Sequence, residues 1–276
     1  MRELCQLSGI SMSGYYAWRN QSESQRFKRD TELSKKIRAL FKESNNSYGS
    51  VRLHEALKKS GETVGRNRVI KLMKQHNLQA KAKRKYKATT DSNHKFGHHP
   101  NLLKQRFSVP EPDRVYAGDI TYVWTQEGWL YLAVVMDLFS RQIIGWSMSS
   151  RMTRQLVIDA LLSAYFRRKP NKGVIFHSDK GSQYASHDYC AVLKNYGFIG
   201  SMSGKGNCYD NAVVESFFHS LKVERIHGKH YPTREAAKSD IFNYIEIFYN
   251  QKRLHSTLGY CSPVEYEQQY WSKQVA

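Results

Sequence analysis

The sequence predicts an α/β protein: a mixed five-stranded sheet with helices on both faces, preceded by an all-α, helix-turn-helix-like N-terminal region. Near the N-terminus, apolar residues recur at helical spacing and Lys and Arg dominate the charges. From Arg114 onward, short runs rich in β-branched and aromatic residues alternate with helical segments. With 276 residues, the chain is long enough for about two domains.

The first 20 residues predict a helix, a turn at Ser8-Gly9 and a second short helix. This segment is either a fragment of a DNA-binding fold or simple packing, and the sequence favours neither. Ser24–Glu43 predicts a longer helix, because its apolar residues recur on one face. Those residues are Leu33, Ile37, Leu40 and Phe41.

Residues 47–79 predict two helices separated by a break at Ser60-Gly61. Positions 50–87 contain 12 Lys or Arg and only two acids. Two short helices with such one-sided charge are typical of a helix-turn-helix module, whose second helix enters the major groove of DNA. The alternative is a solvated basic helix face. The predicted DNA-contacting residues are Arg66, Arg68, Lys71 and Lys74.

The polar, irregular stretch 88–101 predicts a linker. Its histidines, His94, His98 and His99, suggest zinc, but no CxxC follows to complete a tetrahedral site, so we interpret them as linker residues. We divide the chain into four parts: an N-terminal helical segment (1–46), a helix-turn-helix-like module (47–88), a linker (89–110) and a core with a C-terminal helical extension (111–276).

The net charge of +19, from 43 Lys and Arg against 24 Asp and Glu, predicts a polyanionic partner such as nucleic acid. No run of about 18 apolar residues is present, so no membrane span is expected. The N-terminus lacks the apolar segment of a secretory signal, which predicts a cytoplasmic, nucleoid-associated protein. The scattered cysteines predict plain thiols. They are Cys5, Cys190, Cys208 and Cys261.

The second part of the chain predicts three antiparallel-type strands followed by helix, strand, helix, strand and helix, an order that indicates a mixed sheet. The predicted strands are Arg114–Thr125, Trp129–Leu138, Gln142–Ser147, Val174–His177 and Gly197–Met202. The predicted helices are Arg154–Arg167, His187–Tyr196, Asn211–Glu224 and Ala236–Tyr249.

Three acids stand out on separate elements of this sheet. Asp119 lies within an apolar strand, where an ionised acid is unfavourable unless it is paired or bound to a metal. Asp179 follows the end of a strand, where open α/β sheets bind ligands. Glu215 lies on a helix among apolar residues. Each has an ordinary alternative, such as a cap, a salt bridge or a solvated face, but together they predict a Mg²⁺ or Mn²⁺ site. Two such ions can activate a water or a 3′-hydroxyl for phosphoryl transfer.

The helix that carries Glu215 also carries two basic side chains on the same face. At about 100° per residue, His219 lies roughly 40° from Glu215 and Lys222 lies within about 20°. Lys222 is therefore placed to hold a DNA phosphate beside the metals, although a surface lysine is the alternative. Asp210 is better explained as the helix N-cap, and Asp137 has only a minor claim to the metal.

Several stretches of the sequence match motifs of one known protein family. They are Ala117–Tyr122, Gly128–Ala133, Asp137–Trp146, His177–Tyr184, Asp210–Ala212, Glu215–Phe218 and Tyr249–Pro263, together with Tyr48-Gly49 and Arg52-Leu53 in the helix-turn-helix-like segment. These motifs resemble those of insertion-sequence transposases, specifically the catalytic second-frame protein of the retroviral-integrase-like group. The resemblance extends over essentially the whole chain.

The resemblance implies a ribonuclease-H-like core with an Asp-Asp-Glu triad on Asp119, Asp179 and Glu215, with Lys222 as its basic partner. The 35 residues between Asp179 and Glu215 match the spacer of that triad. It implies two Mg²⁺ or Mn²⁺ ions, and no zinc because the His-His-Cys-Cys site of retroviral integrases is missing. The implied partners are double-stranded DNA at the element ends and target, further copies of the chain, and a fused first-frame protein.

The leading hypothesis is therefore a metal-dependent DNA transposase that cleaves element ends and joins their 3′-hydroxyls to target DNA. A second hypothesis is a DNA-binding regulator with an inactive core, and a third is a nuclease of the same fold. The intact triad argues against the regulator, and joined DNA products would exclude the nuclease.

Overall fold

The computed structural model describes residues 1–81, 99–204 and 211–275. The chain divides into two compact units. One comprises Met1–Glu43 with Tyr48–Gln79, and the other comprises Ser44–Ser47 with Ala80–Ala276. Within the described ranges, no helix has both the length and the apolar character needed to span a membrane.

The first unit is entirely helical, as predicted. Helices α3, α4 and α5 pack on one another through buried apolar faces, with Leu33 and Ile37 of α3 contributing to one of them. Ser11 caps α2 by accepting a hydrogen bond from the Gly14 backbone N–H at 3.0 Å. The helices are α1 (Arg2–Leu7), α2 (Met12–Arg19), α3 (Gln25–Glu43), α4 (Ser50–Lys59) and α5 (Arg66–Gln75).

The second unit is built on the predicted five-stranded mixed sheet, with strand order β3-β2-β1-β4-β5. Strands β1, β2 and β3 pair antiparallel, whereas β4 and β5 run parallel to β1. The predicted strand ends differ from the observed ends by one or two residues at most. The strands are β1 (Val115–Thr125), β2 (Gly128–Asp137), β3 (Ile143–Ser149), β4 (Ile175–Ser178) and β5 (Ile199–Met202).

One face of the sheet is covered by α6 (Arg154–Arg168) and α7 (His187–Asn195). Tyr116 of β1, Val135 of β2 and Phe176 of β4 are buried in the core cluster beneath these helices. Gly145 of β3 permits the close approach of α6, since a Cβ at this position would lie 2.6 Å from Ala164 Cβ. The backbones of β3 and α6 are therefore in close contact at Gly145.

The other face is covered by helices from the C-terminal third of the chain. Because side chains alternate along a strand, Ala117, Leu132 and Val134 point away from the α6–α7 cluster, and they too are buried. Helix α8 contacts β1, and α9 contacts β1 and β2. The predicted fold class, with helices on both faces, is confirmed. The elements of this layer are α8 (Ala212–Leu221), α9 (Arg234–Phe242) and α10 (Pro263–Val275).

Two predicted α-helices continue as π-helices, which the sequence analysis did not anticipate. Helix α8 passes into a π-helix at Lys222–Ile226, and α9 passes into a π-helix at Asn243–Tyr249. The apolar spacing specifies which residues face the core, but it does not distinguish these wider turns from α-helical turns. Both π-helical segments are packed against the core, with Val223, Tyr244, Ile245 and Tyr249 buried.

The structure describes residues 99–110 of the predicted linker, and the first of these residues pack along β5. The Leu102 backbone N–H donates to Ser201 Oγ at 3.0 Å, and the Met202 backbone N–H donates to the Pro100 carbonyl at 3.4 Å. Leu103 is buried. His99 lies against Gly200. The other linker histidines, His94 and His98, are outside the described residues.

At the start of β3, the outer edge of the strand is paired with a buried side chain, Asn250. Its Oδ1 accepts from the Ile143 backbone N–H and its Nδ2 donates to the Ile143 carbonyl, both at 2.9 Å. Asn250 therefore pairs with β3 much as a neighbouring strand would, and it satisfies two backbone groups that would otherwise be buried without a partner.

Replacing Asn250 with Ala should lower the free energy of unfolding by about 2–4 kcal/mol, because a buried donor and a buried acceptor both lose their partners. Urea unfolding followed by circular dichroism measures the change. Asn195→Ala, at an exposed position at the end of α7, is the control and should change the free energy by less than about 0.5 kcal/mol. Equal stability of the two variants would contradict the edge-pairing role.

Candidate active site

Asp119 lies on β1 just beyond the point where the pairing with β4 ends. Within the described residues, β4 pairs with β1 only at Val115, Tyr116 and Ala117, so the edge of β1 is open from Gly118 onward. The Asp119 carboxylate accepts a hydrogen bond from the Ile120 backbone N–H at 2.7 Å. The partly buried carboxylate is thereby held at the start of the open edge.

Asp179 follows β4 directly, as the sequence analysis placed it. The parallel register pairs Ala117 with His177, and continuing it by two residues brings Asp179 level with Asp119. Asp179 Oδ1 accepts from the Gly181 backbone N–H at 2.9 Å, which fixes the turn after the strand. His177 is buried, and its Nδ1 lies 2.9 Å from Ser201 Oγ, so the strand end is anchored to β5.

Glu215 and Lys222 come from α8 and its π-helical continuation. Glu215 is exposed in the first turn of α8. Lys222 is only 7% exposed, and its ammonium lies 5.0 Å from the centre of the Tyr122 ring, a cation–π contact. Burial lowers the pKa of Lys222, while the nearby Tyr122 and Asp119 oppose this shift. The lysine predicted to face DNA is thus held against β1.

The pKa shifts of Asp119 and Glu215 indicate that the three carboxylates lie close to one another. Burial raises the pKa of Asp119 well above its usual range, and the negative charges of Asp179 and Glu215 raise it further. The Ile120 backbone N–H and the Lys222 ammonium oppose this rise. Partial loss of solvation by surrounding atoms also raises the pKa of Glu215, although its side chain is exposed, and Asp179 contributes further. Each acid is therefore within electrostatic range of the other two.

This set of donors suits a hard divalent cation. Carboxylate oxygens are the ligands that Mg²⁺ and Mn²⁺ prefer, and mutual repulsion among neighbouring carboxylates is relieved by a cation between them. In the described part of the chain, no group of three or more His, Cys, Asp or Glu side chains has the arrangement needed to hold an ion. The fit of the three carboxylates to a metal therefore rests on their donor chemistry and on their mutual electrostatic effect.

Asn211 is a site residue that the sequence analysis missed. It immediately precedes α8, and its Nδ2 donates to the Gly118 carbonyl at 3.3 Å on the open edge of β1. The side chain is buried, and among the described residues its Oδ1 has no hydrogen-bond partner. Asn211 therefore joins the start of the helix that carries Glu215 to the strand that carries Asp119. An Asn before a helix ordinarily indicates a cap, and the predicted cap, Asp210, lies outside the described residues.

A buried ion pair anchors the other end of this helical segment. Arg253 Nε and Nη2 donate to the two carboxylate oxygens of Glu224 at 2.8 and 2.7 Å, and the Tyr244 hydroxyl donates to Glu224 Oε2 at 2.8 Å. Glu224 lies two residues beyond Lys222, so the pair fixes the π-helical segment that carries the lysine. Arg253 was predicted only as part of a motif, since nothing in its spacing indicates this partner.

Two other residues weighed in the sequence analysis have different surroundings. Asp137 pairs with Tyr116 across the sheet and lies on the face opposite to Asp119. Its carboxylate accepts from the backbone N–H groups of Asp113 and Phe139 at 2.9 and 2.8 Å, and burial raises its pKa to about 7. It shapes a turn and does not join the three acids. His219 is partly buried in the last turn of α8.

In the helical unit, the predicted DNA-contacting residues lie on α5. Arg66, Lys71 and Lys74 are exposed on one face of this helix. Arg68 is different, because its guanidinium pairs with Asp30 of α3 at 2.6 Å. That pairing joins α5 to α3 within the helical unit.

Comparison with known proteins decides the family. An integrase core domain model matches residues 109–208, a second integrase core domain model matches 215–270, and an HTH-like domain model matches 28–86. The chain is 46% identical over 271 residues to the transposase InsF of insertion sequence IS3A from Escherichia coli (strain K12), covering 97% of this chain and 93% of the relative. The chain belongs to the IS3 family of insertion-sequence transposases.

The transposase has a second relative of similar closeness, the uncharacterized 31 kDa protein of insertion element IS600 from Shigella sonnei. The two are 44% identical over 267 residues, covering 97% of this chain and 98% of the relative. The predicted family is thus confirmed, and with it the enzyme class of a polynucleotidyl transferase. A solved integrase catalytic core of HTLV-2 with magnesium is 17% identical, with a TM-score of 0.43 over 57% of this chain and 98% of that one.

Asp119→Asn should stabilise the metal-free transposase at neutral pH, because it removes a buried charge and retains the carbonyl that accepts from Ile120. The folded-state pKa of Asp119 is raised, so wild-type stability falls as the pH rises above the unfolded-state value of about 3.9. The stabilisation should therefore disappear at acidic pH.

Urea unfolding in EDTA at pH values from about 3.5 to 8 measures this difference. Asp159→Asn, at an exposed position on α6, is the matched control and should show no pH-dependent gain. A destabilised Asp119→Asn variant at neutral pH would contradict the repulsion described above.

Proposed function

We propose that this transposase cleaves the ends of its insertion sequence and joins the freed 3′-hydroxyls to target DNA, with Asp119, Asp179 and Glu215 as the catalytic carboxylates. The observation that supports the proposal is the mutual electrostatic effect of these three acids at the open edge of β1. They come from a strand, a strand end and a helix, and each element is held in place by separate contacts.

The three carboxylates are the residues that would hold the metal. Two divalent cations, Mg²⁺ or Mn²⁺, would supply Lewis acidity at the scissile phosphate and increase the acidity of the attacking water or hydroxyl. The contribution of the chain itself is to fix oxygen ligands in a partly buried place where charge interactions are strong. The raised pKa of Asp119 means that its ionised form is unfavourable beside the other two carboxylates.

Two successive phosphoryl transfers account for the proposed reaction. In the first, a water oxygen attacks a phosphorus at the element end and gives up a proton, the bond from phosphorus to the 3′-oxygen breaks, and that 3′-oxygen takes up a proton. In the second, the freed 3′-hydroxyl attacks a target phosphorus and gives up its proton, and the displaced 3′-oxygen of the target takes up a proton. The same site serves both steps because the attacked group is a phosphodiester each time.

Lys222 is proposed to position the DNA phosphate. Its ammonium is fixed beside Tyr122 and within electrostatic range of Asp119, so its charge faces the carboxylates. A phosphate that reaches Asp119 therefore also reaches Lys222. A positive charge there offsets the repulsion between the phosphate and the acids. His219, one turn beyond Glu215, is proposed to line the same approach.

The helical unit is proposed to bind double-stranded DNA through α5. Arg66, Lys71 and Lys74 project from its exposed face, and the sequence from Thr63 to Lys87 contains no acid. A helix of this kind fits the major groove, with its cations on phosphates or base edges. Arg68 is a weaker candidate for a DNA contact than these three residues, because its guanidinium is paired with Asp30. Assembly with further copies and with a first-frame protein belongs to the same proposal.

Glu215→Gln should abolish both cleavage and strand transfer while it leaves DNA binding unchanged, because it removes one carboxylate ligand without changing side-chain size. A strand-transfer assay on the element's own ends with Mg²⁺ or Mn²⁺ measures both products. Glu235→Gln is the matched control, since Glu235 is 82% exposed on α9. Unchanged activity of the Glu215 variant would refute the triad. Nicks without joined products in the wild type would indicate a nuclease.

Lys71→Ala with Lys74→Ala should weaken DNA binding and reduce its salt dependence. Each phosphate contact removed should lower the slope of log affinity against log salt concentration by about 1. Binding titrations between about 50 and 200 mM salt measure that slope. The control is Lys35→Ala with Lys42→Ala, two exposed lysines on α3 of the same unit. If both double variants behave alike, α5 is not the DNA-binding face.

A further inference from the structure

Three aromatic rings form a continuous group on the β1–β2 hairpin. Tyr122 and Trp124 project from the same face of β1, and Trp129 is the direct cross-strand partner of Trp124. The ring centres of Trp124 and Trp129 are 4.8 Å apart, and those of Tyr122 and Trp129 are 4.9 Å apart. The indoles are 58% exposed for Trp124 and 43% exposed for Trp129. We call these three residues the aromatic platform.

The hairpin that carries the platform is held firmly. Gly128 closes the turn with a φ of +102°, and the Thr125 hydroxyl donates to the Gly128 carbonyl at 2.6 Å. Arg234 of α9 secures one side, because its backbone N–H donates to the Glu127 carboxylate at 2.8 Å and its Nε donates to the Trp129 carbonyl at 3.1 Å. The two exposed indoles are therefore presented in a fixed arrangement.

Exposing two indoles to water is unfavourable, and the stability of the hairpin does not require it. A cross-strand aromatic pair stabilises a hairpin only weakly, and smaller β-branched residues would leave less apolar surface in water. Adjacent, fixed and exposed aromatic rings are the kind of surface that marks an interaction site. In the edge-to-face packing of the platform, neighbouring ring planes are inclined by 74° and 81°, which leaves ring surface open to a flat ligand.

The platform adjoins the candidate active site through Lys222. Alternation along β1 places Asp119 and the platform on opposite faces, but the edge of the strand between them is open. Lys222 lies at that edge, where its ammonium is 5.0 Å from the Tyr122 ring and acts on the Asp119 charge. At about 3.4 Å per residue, Tyr122 and Trp124 lie roughly 10 and 17 Å along β1 from Asp119. That span corresponds to about three to five stacked nucleotides.

We propose that the aromatic platform stacks unpaired bases of the DNA strand whose phosphate occupies the candidate active site. The inference rests on the proposed function, since it takes the ligand of the carboxylate site to be DNA. Every base has a π-face, so Trp and Tyr bind single strands with little sequence preference. Bases within a duplex cannot offer those faces. The platform therefore selects DNA that is frayed next to the scissile phosphate, while Lys222 holds the backbone.

The test compares two probes that share the element's terminal duplex, one blunt and one with a five-nucleotide single-stranded tail. Fluorescence anisotropy with the full chain should show tighter binding of the tailed probe by the wild type. Trp124→Ala and Trp129→Ala should each weaken that binding by about 5- to 150-fold, the effect of losing one base–aromatic stack, and should leave blunt-duplex binding unchanged. Trp124→Phe should retain most of the preference because the ring remains.

Trp271→Ala is the matched control, since this α10 indole is 49% exposed in the same unit. It should keep the full preference for the tailed probe, and circular dichroism should show that all variants fold. Equal binding of both probes by the wild type, or the same loss in the Trp271 variant, would overturn the proposal. A change in oligomeric mass on Trp124→Ala, without a change in tailed-probe binding, would overturn it in favour of a second copy as the occupant.

The test of the aromatic platform can fail or succeed independently of the test of the proposed catalytic activity. Glu215→Gln should keep the preference for the tailed probe even though it makes no products. A wild type that prefers the tailed probe but neither cleaves nor joins DNA would support the platform and refute the proposed function. A wild type that cleaves and joins DNA without preferring the tailed probe would refute the platform alone.

Discussion

The repulsion among three carboxylates at the open edge of β1 is the constraint on which the rest of the core depends. Burial and neighbouring negative charge both raise the pKa of Asp119, so the folded chain is destabilised there at neutral pH. The surrounding fold offsets this cost with apolar contacts on both faces of the sheet. Tyr116 and Val135 are buried on one face, and Ala117 and Val134 on the other. Asp119 thus lies on the central strand of the sheet, which is packed on both faces.

Repulsion would also move α8 away from β1 if the helix were not fastened at both ends. Asn211 donates to the Gly118 carbonyl at the start of α8. Beyond Lys222, Glu224 forms a buried pair with Arg253, and removing one partner of such a pair costs about 3–5 kcal/mol. Glu215 and Lys222 lie between these two anchors. The position of Glu215 relative to β1 is therefore maintained by contacts that contain none of the three carboxylates.

The sequence predicted the five strands, the strand-end position of Asp179 and the helical position of Glu215 because hydrophobic periodicity and strand ends are local properties. It did not predict the anchors. Asn250 and Ile143 are 107 residues apart, and their pairing depends on how the C-terminal layer packs. The π-helical turn at Lys222 also escaped prediction, since apolar spacing does not specify backbone hydrogen bonds. Long-range polar contacts are what the one-dimensional pattern lacks.

Under the proposed function, the candidate site is mainly acidic and most of the basic charge of the transposase lies elsewhere, with Lys222 as the basic residue beside the acids. One ammonium cannot neutralise three carboxylates, so the candidate site alone would repel a DNA phosphate. The attraction for DNA must then come from elsewhere, and the chain has 43 Lys and Arg against 24 acids. The acid-free stretch from Thr63 to Lys87 is one such source. Basic charge away from the site would bring DNA near, whereas occupancy of the site itself would depend on divalent cations offsetting the remaining negative charge.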